Sequence, residues 1–95
     1  MKIGDVAQVR TAFPDADFWL VRQDSADRVG RPVKEYAADL IGIKVDRTRL
    51  DPRYAFYLFE YMVQRGVFRQ LATGAITLQH ITVEQVKKIP IQFRE

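Results

Sequence analysis

Few residues in this 95-residue chain can do covalent chemistry. There is one histidine, His80, one serine, Ser25, and no cysteine. Without cysteine there is no thiolate nucleophile, no disulfide and no thiolate metal ligand. A structural zinc needs about four N, S or O ligands, so no metal site is expected. A Ser-His-Asp arrangement would have to combine Ser25 with His80, and neither lies in a nucleophile-elbow sequence. No Walker loop and no Gly-x-Gly-x-x-Gly run is present. The acidic residues stand mostly in turns beside arginines, without a paired-carboxylate pattern. The expectation is a protein that is not an enzyme and needs no cofactor, with His80 acting as a hydrogen-bonding loop residue.

Arginine offers a different chemistry. The net charge is +3 and the pI about 9.4. Residues 1–27 carry three basic and five acidic groups, whereas residues 28–95 carry twelve basic and seven acidic ones. The positive character of the later two-thirds is mostly arginine. Its planar guanidinium donates bidentately to phosphates and base edges, which suits a nucleic-acid partner. The competing reading is a solvated surface of mixed charge. Arg28 and Arg31 flank Gly30 within Gln23–Pro32, the most polar stretch. Its Asp, Ser, Gly and Pro residues favour turns, and such a loop can present arginines to a ligand.

These residues need a scaffold, and the length allows one domain, residues 1–95. A hydrophobic fraction of 47% and an aromatic fraction of 12% argue against disorder. No apolar run approaches the roughly 20 residues that span a bilayer. The N-terminus lacks the pattern of a secretory signal. The expected setting is cytoplasmic, with no membrane partner.

Ile3, Val6, Ala7 and Val9, punctuated by Gly4-Asp5, suggest a half-helix or tight turn running into a short strand. Phe18–Arg22 is β-prone and nearly continuously apolar, which predicts a strand partly covered on both faces, with Trp19 in the core. Val33–Tyr36 reads as a short strand. Leu40–Val45 reads as a core strand in which Gly42 marks a bulge or a close backbone approach. Asp51 is a good N-cap with Pro52 at the first helical position, so a helix starts there. That helix, Pro52–Gln64, is apolar on nearly all sides, which predicts burial against more than one layer or another subunit. Arg65-Gly66 ends or kinks it, and Val67–Ala72 forms a second short helix with Phe68 inward and Arg69 outward. Thr73-Gly74 reads as a turn opening a loop that is rich in Thr, Gln and His. Thr82 and Gln85 match a capping box for a short helix ending at Lys87-Lys88. Pro90 then biases Ile89 to extended backbone, opening a last strand, Ile89–Phe93. The predicted fold class is α+β: a small mixed or antiparallel sheet packed with a buried aromatic helix and two short helices.

The order of these motifs resembles a known family. The run from Leu40 to Ile91 is similar to the second half of a target recognition domain. Such domains occur in the DNA-specificity (S) subunits of type I restriction-modification enzymes. The matching features are the strand Leu40–Val45, Leu50-Asp51-Pro52 and the aromatic helix Tyr54–Met62. Phe68–Ala72, Thr73-Gly74, the capped Thr82–Lys88 and Ile89-Pro90-Ile91 follow in the same order. Lys2–Val9 also resembles the family's opening Leu-Gly-Asp-Val-Ala. The family's longer middle is compressed here into about Thr11–Asp39, so the resemblance implies a shortened, stand-alone form.

The resemblance implies DNA binding without catalysis, with methyltransferase or restriction subunits as partners. A homodimer or a protein-interaction module that does not read bases is the alternative. On the DNA reading, Arg28, Arg31, Arg47, Arg49 and Arg69 neutralise phosphates. Thr73, Gly74, Thr77, Gln79 and His80 approach the backbone or base edges. Gln79 is the candidate for base readout, because a glutamine amide can pair bidentately with adenine.

Overall fold

The computed structural model describes residues 1–75 and 78–91, and the chain's architecture is α+β. The central strand is β5 (Ile41–Val45), buried over most of its length as its apolar run requires. It pairs antiparallel with β1 (Ala7–Thr11) on one side and β2 (Phe18–Leu20) on the other. β4 (Pro32–Val33) closes the sheet beside β2, giving the order β1-β5-β2-β4. Before β1, α1 (Ile3–Val6) realises the expected half-helix, and Asp5 accepts from the Lys2 backbone N–H at 2.8 Å.

Strand alternation gives this sheet one apolar face and one mixed face. Val9, Ile43 and Phe18 lie in one cross-strand row, and Ile41 and Leu20 share their face. Against it packs α2 (Pro52–Gln64), with the Phe18 ring meeting Phe56 at 5.5 Å and Phe59 at 5.6 Å, both edge-on. Phe59 in turn stacks on Phe68 of α3 (Val67–Leu71) at 5.9 Å. Burying each such ring is worth about 2–3 kcal/mol. On the opposite face, Arg10, Gly42 and Trp19 share a row. The segment after β1 folds over Gly42, where a Cβ would sit 2.8 Å from Phe13 Cβ and 2.9 Å from Ala16 Cβ. Gly42 is therefore a close approach; the register runs through it without a bulge. Trp19 is buried, donating its indole N–H to the Phe13 carbonyl at 2.8 Å.

Asp51 caps α2 as expected, accepting from the Arg53 N–H at 2.8 Å. The helix is not buried all round. Ala55, Phe59 and Met62 face the core, whereas Tyr54, Tyr57 and Tyr61 lie on its exposed side. The apolar count was inflated by tyrosines, whose hydroxyls keep one end in water.

A second, smaller antiparallel sheet has the order β3-β7-β6, from β3 (Gln23–Asp24), β7 (Leu78–His80) and β6 (Thr73–Ala75). The expected turn at Thr73-Gly74 is a strand instead, so the polar loop is a hairpin. Turn-forming residues there were outweighed by pairing with β7. α4 (Val83–Lys87) has the complete Thr82/Gln85 capping box, with Val86 buried. The closing segment is described as far as Ile91: Pro90 bridges Lys2, and the Ile91 N–H donates to the Met1 carbonyl at 2.8 Å. Gln92 and Phe93 lie outside the described residues. No helix of the described residues is long and apolar enough to cross a membrane.

Candidate nucleic-acid interface

The small sheet sorts the candidate polar residues by face. Gln23, His80 and Thr73 are paired across the three strands, so their side chains project to one side. Thr73 Oγ1 and His80 Nε2 are hydrogen-bonded at 2.9 Å on the solvent side. Asp24, Gln79 and Gly74 form the next row, on the opposite side. Asp24 turns its carboxylate to the Ser25 N–H at 2.7 Å. Gly74 has φ +114°, and its Cα lies so close to β7 that a Cβ would meet the Leu78 carbonyl oxygen at 2.7 Å. The Gln79 side chain is half-buried, and its Oε1 is fully enclosed without a hydrogen-bond partner among the described residues. A bidentate pair with adenine needs both ends of the amide at the surface. In this conformation Gln79 does not offer both. Thr77 lies outside the described residues.

The His80 face continues into a groove of about 410 Å³ lined by Thr11, Arg22, Gln23, His80 and Thr82. The Ile81 N–H donates to the Arg22 carbonyl at 3.0 Å, tying the small sheet to the chain leaving β2. Arg22 and Gln23 were absent from the sequence-derived candidates. Their signal was position: they are the first polar residues after the buried Phe18–Leu20 run, where the chain leaves the core for the surface.

Arg28 and Arg31 sit at the same end. The Arg28 and Val29 N–H groups both donate to the Ser25 carbonyl at 3.0 Å. The Gly30 N–H donates to the Val21 carbonyl at 2.8 Å and the Val21 N–H to the Arg31 carbonyl at 3.0 Å. This turn is pinned down by Val29, which is fully buried, while both arginines are exposed and unpaired with any described carboxylate. Arg69, on α3, is bonded to Asp27 of the same turn.

Arg47 and Arg49 belong elsewhere. The second sheet and the Arg22 groove adjoin the Thr11/Ile41 end of the large sheet, whereas Arg47 and Arg49 follow Val45 at its other end. The five residues of β5, rising about 3.4 Å each, separate the two ends by roughly 14 Å. Arg47 is bonded to Asp17 at 2.6 Å, whose other oxygen accepts from the Val45 N–H at 2.9 Å. Arg49 lies 3.9 Å from Asp46. Thr48 donates to Asp46 through both its N–H and its hydroxyl, which holds that carboxyl below its ordinary pKa. The candidate arginines therefore form two groups, and only Arg28, Arg31 and Arg69 gather near Thr73 and His80.

No group of three or more His, Cys, Asp or Glu side chains able to hold a metal occurs among the described residues. Comparisons of the chain with protein-family models, with curated proteins and with solved structures gave no match.

Proposed function

We propose that this chain is a non-catalytic DNA-binding specificity module of a restriction-modification system, recognising DNA for partner methyltransferase or nuclease subunits. On this reading it works in the cytoplasm, without a cofactor. One observation carries it: the exposed Gln23–His80–Thr73 row and the arginines Arg22, Arg28 and Arg31 lie at one end of the molecule. The arginines neutralise phosphates, and the short polar row gives hydrogen bonds to the backbone or base edges.

Salt dependence tests it. With about three phosphates neutralised, the logarithm of the association constant falls with a slope near −2.7 against log salt, about a fortyfold loss between 50 and 200 mM. Arg28→Ala combined with Arg31→Ala should flatten that slope by about two. An anisotropy titration showing no binding to duplex DNA at 50 mM salt overturns the reading.

The alternative is a protein-interaction or dimerisation module on the same fold that does not read bases. It is favoured by the exposed tyrosines of α2, whose apolar rings stand in water across one helix face. Absence of DNA binding together with a concentration-dependent oligomer would select it.

A further inference from the structure

The exposed side of α2 is self-complementary, and we infer that it pairs with the same helix of a second copy of this chain, antiparallel, with Tyr57 at the two-fold axis. The inference rests on the interaction reading above and names its occupant. Tyr54, Tyr57 and Tyr61 are 50%, 65% and 57% exposed. At about 100° per residue they share one helix face with Arg53, Glu60 and Gln64. A two-fold axis through Tyr57 sets Arg53 opposite the second copy's Tyr61 and Tyr54 opposite its Glu60. Each Arg53 guanidinium then reaches both a tyrosine ring and the neighbouring Glu60 carboxylate, and symmetry repeats every contact. Within its own chain Glu60 makes no ion pair with a described residue, and Arg53 is only loosely paired with Asp51 at 3.6 Å.

The flanks fit the same arrangement. A cleft of about 280 Å³ beside Tyr57 is lined by Lys34, Arg53 and Phe56. One of about 180 Å³ beside Tyr61 is lined by Leu58, Met62 and Ile91. Both are mainly apolar and can receive tyrosine rings. A helix of thirteen residues, about 20 Å long, buries on the order of 500 Å² per copy, below the roughly 800 Å² of a standard interface. The pair is therefore weak and reversible, dissociating in the micromolar range or above.

Sedimentation velocity over a dilution series of the full chain tests this, with circular dichroism to confirm folding of each variant. The wild type should move from dimer to monomer on dilution. Tyr57→Arg sets two like charges on the axis and should leave monomer only. Arg53→Glu and Glu60→Arg should each weaken the dimer about tenfold or more, because each contact occurs twice. The double variant Arg53→Glu/Glu60→Arg should restore it. A dimer indifferent to all four variants overturns this interface while leaving an interaction module standing. A wild type that stays monomeric to about millimolar concentration overturns the self-association outright.

Discussion

Replacing Gly30 by alanine probes the joint between the arginine-bearing turn and the core. Gly30 has φ +85°, and a Cβ built on it would fall 2.2 Å from Cγ of Phe68. That ring is buried and stacked on Phe59, so it has little room to withdraw. Gly66 supplies the control. Its φ is +79°, but a Cβ there meets nothing within 4 Å. Gly66→Ala therefore carries only the backbone penalty, about 1–2 kcal/mol. Gly30→Ala adds overpacking of about 1–3 kcal/mol, and the total approaches half of a stability on the order of 5–14 kcal/mol for this length. Thermal unfolding by circular dichroism should place the Tm of Gly30→Ala at least about 5 °C below that of Gly66→Ala. Adding Phe68→Leu to Gly30→Ala should recover part of the difference, as residues in contact couple. Equal Tm values for the two alanine variants would refute the packing of Phe68 beneath the turn. The same experiment bears on the site, since a displaced turn carries Arg28 and Arg31 with it.

Two further outcomes follow from the small sheet and the caps. Gln79→Met replaces an enclosed amide oxygen that has no partner among the described residues with an apolar group of similar length, so stability should rise by about 1 kcal/mol; a fall in Tm would show that the oxygen has a partner. The carboxyls of Asp51, held down first by the Arg53 backbone N–H, and Asp46, held down first by the Thr48 hydroxyl, have lowered pKa values. Groups whose folded pKa is depressed stabilise above their unfolded value, and that contribution disappears as pH falls through the folded one. Tm should accordingly decline as pH drops below the ordinary aspartate range near 3.9, and Asp51→Asn, which keeps the cap acceptor, should shrink the decline.

The local rules were legible because each depends on neighbours in sequence. Asp51-Pro52 starts a helix, Thr82 and Gln85 close a capping box, and the apolar runs Phe18–Arg22 and Leu40–Val45 contain strands, which occupy Phe18–Leu20 and Ile41–Val45. Gly42 likewise announced a close approach, though the Phe13 and Ala16 atoms that require it come from another segment. The candidate site was less legible. Which arginines stand together depends on strand order, so Arg47 and Arg49 looked equivalent to Arg28 and Arg31 until the sheet put them at opposite ends. Composition showed that α2 is rich in aromatic residues. Only packing against Phe18 and Phe68 decided that Phe59 is core, Phe56 lies at the core's edge and the tyrosines are surface. Turn propensity at Thr73-Gly74 was overruled by β7, and that pairing alone set Thr73 and His80 on one face and Gln79 on the other. The sequence by itself determined where helices begin and which strand runs are buried, since capping and short apolar runs are local. The tertiary structure decided which polar residues share a surface, because cross-strand register and layer packing are made between segments far apart in the chain.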